Sequence, residues 1–301
     1  MRTVELEQIM AALDPERVMA ALAAGFRAFA AGECQVAAVG HLGFPGDADC
    51  HIKSAHLDGD DVFAVKISNS FYGNPAGVPK EDGVIVVGSA RTGAILAVLH
   101  DHGELTGIRT AMAGALAARL IAPERPRTLG VIGSGDQARR QVAAIRAALP
   151  FERLLVCARR PEAAAALGGE AVGIERLCAE ADLIVTATTA RAPLFPAALA
   201  RPGMRIVAVG ADAPGKQELD PELVAAATVI ADSPGQCIDH GEAGWAVRAG
   251  LLDPARLIPF GQALAEPPSF AAAETVVVDL TGVAVQDVVI AKAVWEALAP
   301  A

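Results

Sequence analysis

The stretch from residue 128 to residue 138 sets the strongest limit on what this chain can fold into. Thr128-Leu129-Gly130-Val131-Ile132 reads as a strand and runs straight into Gly133-Ser134-Gly135-Asp136-Gln137-Ala138. A helical pattern follows to about residue 149. A Gly-x-Gly-x-x-Ala turn between strand and helix is a dinucleotide-binding fingerprint, and each small residue has a physical role. The first glycine makes the tight turn, the second lets the backbone approach a pyrophosphate, and Ala138 lets the helix pack against the strand. The helix N-terminus then presents unpaired N–H groups and a partial positive charge to the phosphates. An ordinary strand–turn–helix carries the same local pattern, so the surroundings of the turn decide, and they favour the cofactor.

From residue 128 onward strands and helices alternate. Strand patterns lie at 128–132, 153–158, 182–186, 205–209, 228–231 and 275–279, with helical patterns after 137, 161, 175 and 237. This alternation predicts a parallel sheet with helices on both faces. The chain before residue 123 reads differently. Asp14-Pro15-Glu16 opens a helix, with Asp14 as cap and Pro15 as first helical residue. Short strand patterns at 36–39, 51–57, 62–68, 84–89 and 94–99 are separated by turn signals such as Pro45-Gly46 and Asp58-Gly59. They predict an antiparallel sheet. Thr106 reads as the cap of a helix running to about residue 122. Pro123 and Pro126 mark a boundary, and a last helix starts near Val283.

Composition excludes several classes. With 301 residues, 53% of them hydrophobic, the chain can bury a large core and is long enough for two domains. A net charge of −10 without a Lys/Arg tract argues against nucleic acid and anionic membrane surfaces. The longest apolar stretches are interrupted by Arg27, Arg109 and Arg119, so no transmembrane helix is expected. The 5 cysteines are scattered and odd in number, which suits free thiols in a reducing compartment, and the acidic N-terminus does not read as a signal peptide. A cytoplasmic protein is expected.

Several side chains stand out for chemistry. Lys66 lies mid-strand among Phe63, Val65 and Ile67; it is either a buried cation or a solvent-facing lysine on a one-sided sheet. Arg109 reads as lying in the first turn of the helix capped by Thr106. A cation is disfavoured there unless an anion is present, so it marks a carboxylate site or a structural ion pair. Asp212 falls just past the carboxyl end of the 205–209 strand, where ligands of open α/β sheets bind and where turn or cap aspartates are also common. The second strand of the nucleotide unit ends at Ala158-Arg159-Arg160, where an acid would hold the ribose 2′-OH of NAD. Two arginines there suit a 2′-phosphate, so NADP(H) is expected ahead of NAD(H), which stays possible; exposed loop arginines are the plainer reading. The histidine pairs His51/His56 and His100/His102 match no metal-binding spacing, and no metal is expected.

These residues together resemble the ornithine cyclodeaminase/mu-crystallin family over nearly the whole chain after residue 60. The resemblance is carried by Val65-Lys66-Ile67, by Leu105-Thr106-Gly107-Ile108-Arg109-Thr110-Ala111 and by the glycine turn. It continues through Val209-Gly210-Ala211-Asp212-Ala213-Pro214-Gly215-Lys216 and Leu280-Thr281-Gly282-Val283-Ala284-Val285-Gln286-Asp287. It implies an α/β fold in which a Rossmann-type parallel-sheet domain, 123–283, is inserted into a smaller α+β dimerisation and substrate domain, 1–122 plus 284–301. It also implies hydride transfer between a nicotinamide and the α-carbon of a small amino or imino acid. By motif position, Lys66 and Arg109 grip the substrate carboxylate, Lys66 donates a proton and Asp212 is the acid/base beside the substrate nitrogen. Gly133, Ser134, Gly135, Asp136, Gln137 and Ala138 form the pyrophosphate turn, with Thr106 and Thr188 as further cofactor contacts.

The sequence departs from ornithine cyclodeaminases proper at two places. They carry an arginine near the position of His41, which makes His41 a candidate substrate contact, and a glutamate on the strand that here holds Lys53. A lysine there suits a carboxylate rather than a cationic amine and argues against ornithine. The leading expectation is an NADP-dependent ketimine reductase or amino-acid dehydrogenase working as a homodimer. The alternatives are a cyclodeaminase, which uses NAD catalytically and releases ammonia, and a non-catalytic NADPH- or ligand-binding protein of the crystallin kind.

Overall fold

A computed structural model of the chain describes residues 1–46 and 48–298. Residues 47 and 299–301, which belong to the expected substrate and dimerisation domain, lie outside the described residues. The chain divides into two units, one built from Met1–Arg109 and the chain from Val283 on, the other from Thr110–Gly282.

The first unit begins with β1 (Arg2–Glu5), α1 (Leu6–Ala12) and α2 (Pro15–Ala31). The Asp14 carboxylate accepts from the Glu16 and Arg17 N–H groups, and Pro15 opens α2, as its sequence predicts. Then come β2 (Cys34–Val36), β3 (Gly40–Phe44), β4 (Ala48–Leu57), β5 (Val62–Phe71), β6 (Glu81–Ser89) and β7 (Ile95–His100), followed by α3 (Glu104–Ile121). The strands form one sheet in the order β1-β7-β6-β5-β4-β2, with β3 also on β4. The expected antiparallel pairing is present throughout except at β1, which lies parallel to β7. Alternation along β5 puts Val62, Ala64 and Lys66 on the buried face and Phe63, Val65 and Ile67 on the other.

In the second unit β8 (Thr128–Ile132), α4 (Asp136–Ala148), β9 (Arg153–Cys157), α5 (Ala163–Ala166), β10 (Glu170–Ala171), α6 (Ile174–Glu180) and β11 (Leu183–Thr186) come first. They are followed by β12 (Arg205–Ala208), α7 (Pro221–Ala226), β13 (Thr228–Ala231), α8 (Pro234–His240), α9 (Glu242–Arg248), β14 (Ile258–Pro259), α10 (Phe260–Ala265) and β15 (Val276–Asp279). The strands line up as β10-β9-β8-β11-β12-β15-β13-β14, and each neighbouring pair in this order is parallel. β8, β11, β12, β13 and β15 are almost wholly buried and rich in Val, Ile and Leu, as strands covered on both faces must be. The order reverses between β8 and β11, the switch point at which open α/β sheets bind ligands.

The closing helix α11 (Ala284–Leu298) returns to the first unit. Its residues from Ala284 to Ala291 are all buried, and it packs on α2, β4, β5 and β6. The approach to α2 is close: a Cβ on Gly25 would stand 2.7 Å from the Val289 Cγ2. The helix therefore covers the sheet face that carries Lys53 and Lys66. Two polar residues of its first turns, Gln286 and Asp287, are buried with the rest.

Candidate active site

Lys66 is 3% exposed, so the solvent-facing reading of this residue is overturned. It is the cross-strand neighbour of Lys53, itself buried, and its Nζ donates to the Asp287 Oδ1 at 3.1 Å. The same oxygen accepts from the Arg109 Nε at 3.1 Å, while the Arg109 Nη1 donates to the Gln286 Oε1 at 3.0 Å. Gln286 is held in turn by the Val283 N–H, which donates to its Oε1 at 3.0 Å. Three cations thus lie buried in the first unit, two of them sharing one carboxylate.

The electrostatics follow from that imbalance. Burial pulls the Lys66 ammonium down, Arg109 and Lys53 push it the same way and Asp287 opposes them, leaving its pKa at about 7 against an ordinary 10.5. Burial alone would raise Asp287, but Lys66, Arg109 and Lys53 outweigh it and hold its carboxyl below the usual range. A site with this excess of positive charge is suited to an anionic ligand.

Two local expectations need correction. Thr106 does not cap α3. The helix starts at Glu104, and it is the Asp101 carboxylate that takes the Leu105 N–H, at 2.9 Å. Both residues are capping types, and the tight turn at Gly103 (φ 84°) lets the earlier one win. Arg109 consequently lies in the second turn of α3, where the helix dipole has faded, and its charge is answered by Asp287 instead. His41 stands on β3 directly opposite His51, with the two rings 4.8 Å apart. Its described contacts are there and do not include Lys66, Arg109 or Asp287.

In the second unit the glycine turn has the geometry that its residues require. Gly133 adopts φ +122°, and a Cβ there would meet the Ala187 oxygen at 2.4 Å, so only glycine fits. Its N–H donates to the Cys157 oxygen at 2.9 Å, which ties the turn to the end of β9. Gly135 caps α4 with extended backbone, and a Cβ on it would meet nothing within 4 Å. The open space lies where a pyrophosphate approaches such a turn. Ala138 is fully buried, as close helix–strand packing demands. Asp136 is engaged on its own helix by Arg139 and Arg140. Ser134 and Gln137 complete the turn. Arg159 and Arg160 follow β9 after Ala158 and are exposed.

Thr188 follows β11 beside the turn, its Cγ2 3.3 Å from the position of a Gly133 Cβ. Its N–H donates to the Glu218 Oε1 at 2.6 Å. Glu218 is fully buried, and it also accepts from the Thr186 hydroxyl at 2.6 Å and the Gly210 N–H at 2.8 Å. This one carboxylate pins the loops after β11 and β12, including the loop that carries Asp212. Asp212 is half exposed and pairs with Lys216. Glu242 fastens the same region by accepting the Glu218 and Leu219 N–H groups at 2.7 and 2.9 Å. Asp232 accepts the Thr281 and Gly282 N–H groups at 2.9 and 2.7 Å. The sequence reading gave none of these acids, nor Asp287, a role. What marks Asp287 in the sequence is its place, with Gln286, in an otherwise apolar helical run.

Spacing along the chain matches no metal motif, but strand pairing groups Asp82, His100 and His102, and separately His41, Asp49 and His51, with ligand atoms within 4.8 Å of one another.

A Rossmann-type parallel sheet with an open glycine turn in one unit, and in the other a mixed sheet burying Lys53, Lys66 and Arg109, define a class of two-unit dinucleotide-binding proteins. The chain belongs to the ornithine cyclodeaminase/mu-crystallin family, whose model matches residues 2–300. A Rhizobium meliloti protein with a provisional dehydrogenase name is 39% identical over 297 residues, covering 93% of this chain and 89% of that one. The iminosuccinate reductase of Paracoccus denitrificans, solved in complex with NAD+, superposes with a TM-score of 0.90 at 31% identity over 99% of this chain and 96% of that one. An archaeal alanine dehydrogenase, solved as a dimer with bound NAD, gives a TM-score of 0.91 at 30% identity over 99% and 95%.

Proposed function

We propose that the protein is an NAD(P)(H)-dependent oxidoreductase that interconverts a small α-imino acid and the corresponding α-amino acid. The observation that carries this reading is that two buried cations, Lys66 and Arg109, share one oxygen of Asp287, with Lys53 directly across the strand from Lys66. A cationic cluster of this kind is suited to a substrate carboxylate. Arg109 spends its Nε and Nη1 on Asp287 and Gln286, and a guanidinium has further N–H donors for a carboxylate. Lys53 adds a third cation, which favours a substrate with an acidic or short side chain over one with a cationic amine.

The cofactor fits the second unit at the glycine turn, where a Cβ at Gly135 would occupy open space. The nicotinamide supplies or accepts the hydride at the substrate α-carbon. Around that step the protein fixes the substrate carboxylate with Arg109 and Lys66, which is catalysis by orientation. Lys66, with a pKa of about 7, holds or releases a proton near neutral pH and is the donor toward the substrate. Asp212, on the loop that Glu218 pins, serves the substrate nitrogen as acid/base. Ser134, Asp136, Gln137, Thr106 and Thr188 complete the cofactor contacts.

NADP(H) is the preferred form in this reading, because Arg159 and Arg160 stand where the ribose end lies and no acid is present to claim a 2′-OH. A homodimer is favoured by the uncovered sheet face, on which Ile52 and Ile67 remain 38% and 36% exposed beside Val65 and Val86. The free cysteines suit a reducing compartment such as the cytoplasm, and no described helix is long and apolar enough to cross a membrane.

The test is NADPH and NADH absorbance with purified protein and 1-pyrroline-2-carboxylate, 1-piperideine-2-carboxylate, pyruvate with ammonia, and oxaloacetate with ammonia. NADPH oxidation faster than NADH oxidation is expected. No oxidation of either cofactor overturns the reductase reading; ammonia release from ornithine or lysine without net cofactor change would then assign a cyclodeaminase.

A further inference from the structure

Four side chains remote in sequence from the glycine turn meet at one end of the first unit's sheet. Asp82 lies on β6, His100 ends β7, His102 sits in the turn before α3, and Glu5 ends β1 directly opposite His100. The ligand atoms of Asp82, His100 and His102 all fall within 4.8 Å of one another. The two imidazole rings lie with centroids 4.0 Å apart and their planes tilted by 43°. The His102 Nδ1 is 3.0 Å from the Asp82 Oδ1, and the His100 Nδ1 is 3.4 Å from the Glu5 Oε2. His102 is also the one non-glycine residue with positive φ, 54°, among the described residues.

We propose that His100, His102 and Asp82, with Glu5 as fourth donor, bind a single borderline divalent cation, Zn2+ fitting best. Two imidazoles with carboxylates are the donor set of Zn2+, Ni2+ and Cu2+; Mg2+ and Ca2+ demand oxygen ligands throughout. Zn–N and Zn–O bonds of ~2.0–2.1 Å in a tetrahedron require donor atoms roughly 3.3 Å apart. The present spread closes to that by side-chain rotation, because all four side chains are at least 37% exposed and no core contact has to move. The bound ion would tie β1 and β6 to the entrance of α3, the helix that carries Arg109.

The alternative location is the group formed by His41, Asp49 and His51 on β3 and β4, and the experiment separates the two. Chelator-treated full-length protein is titrated with Zn2+ by calorimetry in millimolar Mg2+, and Co2+ binding is followed by visible absorption. The variants are His100→Gln, His102→Asn and His41→Gln. Asparagine tolerates the left-handed backbone at residue 102, so this variant keeps the turn. The expected result is one saturable Zn2+ site per chain, unaffected by Mg2+ and at least ~10-fold weaker in His100→Gln and His102→Asn, consistent with the loss of a metal-orienting or metal-binding group. His41→Gln leaves it unchanged. Zn2+ should raise the melting temperature of the native protein and fail to raise that of His102→Asn. Absence of saturable binding, or binding that His41→Gln abolishes and His102→Asn leaves intact, overturns the proposal.

Discussion

Replacing Asp287 by asparagine is the sharpest probe of the cationic site. Asparagine keeps the shape and one acceptor but removes the charge that Lys66 and Arg109 share at 3.1 Å. Lys66 has a pKa of about 7 with Asp287 in place. Asp287 is the partner that holds it up against burial, Arg109 and Lys53, so the variant must lower it. A fall of a single unit, equivalent to ~1.4 kcal/mol, reduces the protonated fraction at pH 7 from about one half to about one tenth. Roughly 5-fold is therefore the smallest loss of kcat/KM for imino-acid reduction at that pH. The profile itself is more telling than the loss. In the native protein, reduction should fall as pH rises through about 7, the pKa of Lys66, and in Asp287→Asn that limb should move to lower pH. Stability has a definite sign too. The folded-state pKa of Lys66 lies below its ordinary 10.5, so the unfolded chain binds the extra proton between about 7 and 10.5. Stability contributed by this group rises across that window, and its cost is complete below it. Removing one partner of a buried ion pair costs ~3–5 kcal/mol; because Lys66 can shed its proton, the low end applies, a fall in Tm of roughly 6–12 °C. Assays are kcat/KM from pH 5.5 to 9 and thermal unfolding at pH 7. A limb at an unchanged pH together with an unchanged Tm would refute the account of Lys66 and Asp287 as a coupled pair.

The remaining expectations concern the second unit. Asp212→Asn should cut turnover at least ~100-fold, the lower range for a positioned acid/base, with NADPH affinity kept; near-native turnover would take Asp212 out of the mechanism. Arg159→Ala should weaken NADPH binding ~10-fold or more, as loss of a charge-assisted contact does, with little change for NADH. Equal losses, measured by fluorescence titration, would show that the residue does not read a 2′-phosphate. Gly135→Val and Gly133→Ala should separate binding from folding. A Cβ at Gly135 meets no other protein atom within 4 Å and points into open space, so Gly135→Val should lose dinucleotide binding with Tm nearly unchanged, whereas Gly133→Ala must clash with the Ala187 oxygen and lower Tm.

The difference between what could be read in the sequence and what could not is a matter of interaction range. β8 and β13 have the bounds their sequences predict because a buried parallel strand is a short, uninterrupted apolar run. β1 and β3 went unread. Arg2–Glu5 has a single fully buried side chain, Val4, and is a strand because β7 lies beside it. Gly40–Phe44 is exposed along its length and is held by β4. Neither carries a period of its own. Lys66 and Arg109 stand out because a charge in an apolar setting is anomalous wherever it falls. Asp287 is no less anomalous in α11, but its significance is relational: its partners lie 221 and 178 residues away.

The same reasoning explains why the acids behind the glycine turn stay silent in the sequence. Glu218, Asp232 and Glu242 sit in or beside loops, where acidic residues are ordinary, and an exposed turn acid has the same sequence signature as a swallowed one. What distinguishes them is that backbone N–H groups of other chain segments converge on each carboxylate, as the Thr188 and Gly210 N–H groups do on Glu218 and the Glu218 and Leu219 N–H groups do on Glu242. Asp279 ends β15 and accepts the Ala243 N–H at 2.9 Å; burial lifts its pKa to about 7. Such groups are costly to bury, and they are retained where several loop N–H groups would otherwise have no acceptor. Glu218 and Glu242 in this way set the positions of Thr188 and of the loop bearing Asp212. The shape of the dinucleotide end of the sheet therefore depends on side chains that no local pattern reveals, while the turn that announces it depends on glycines that any local pattern does.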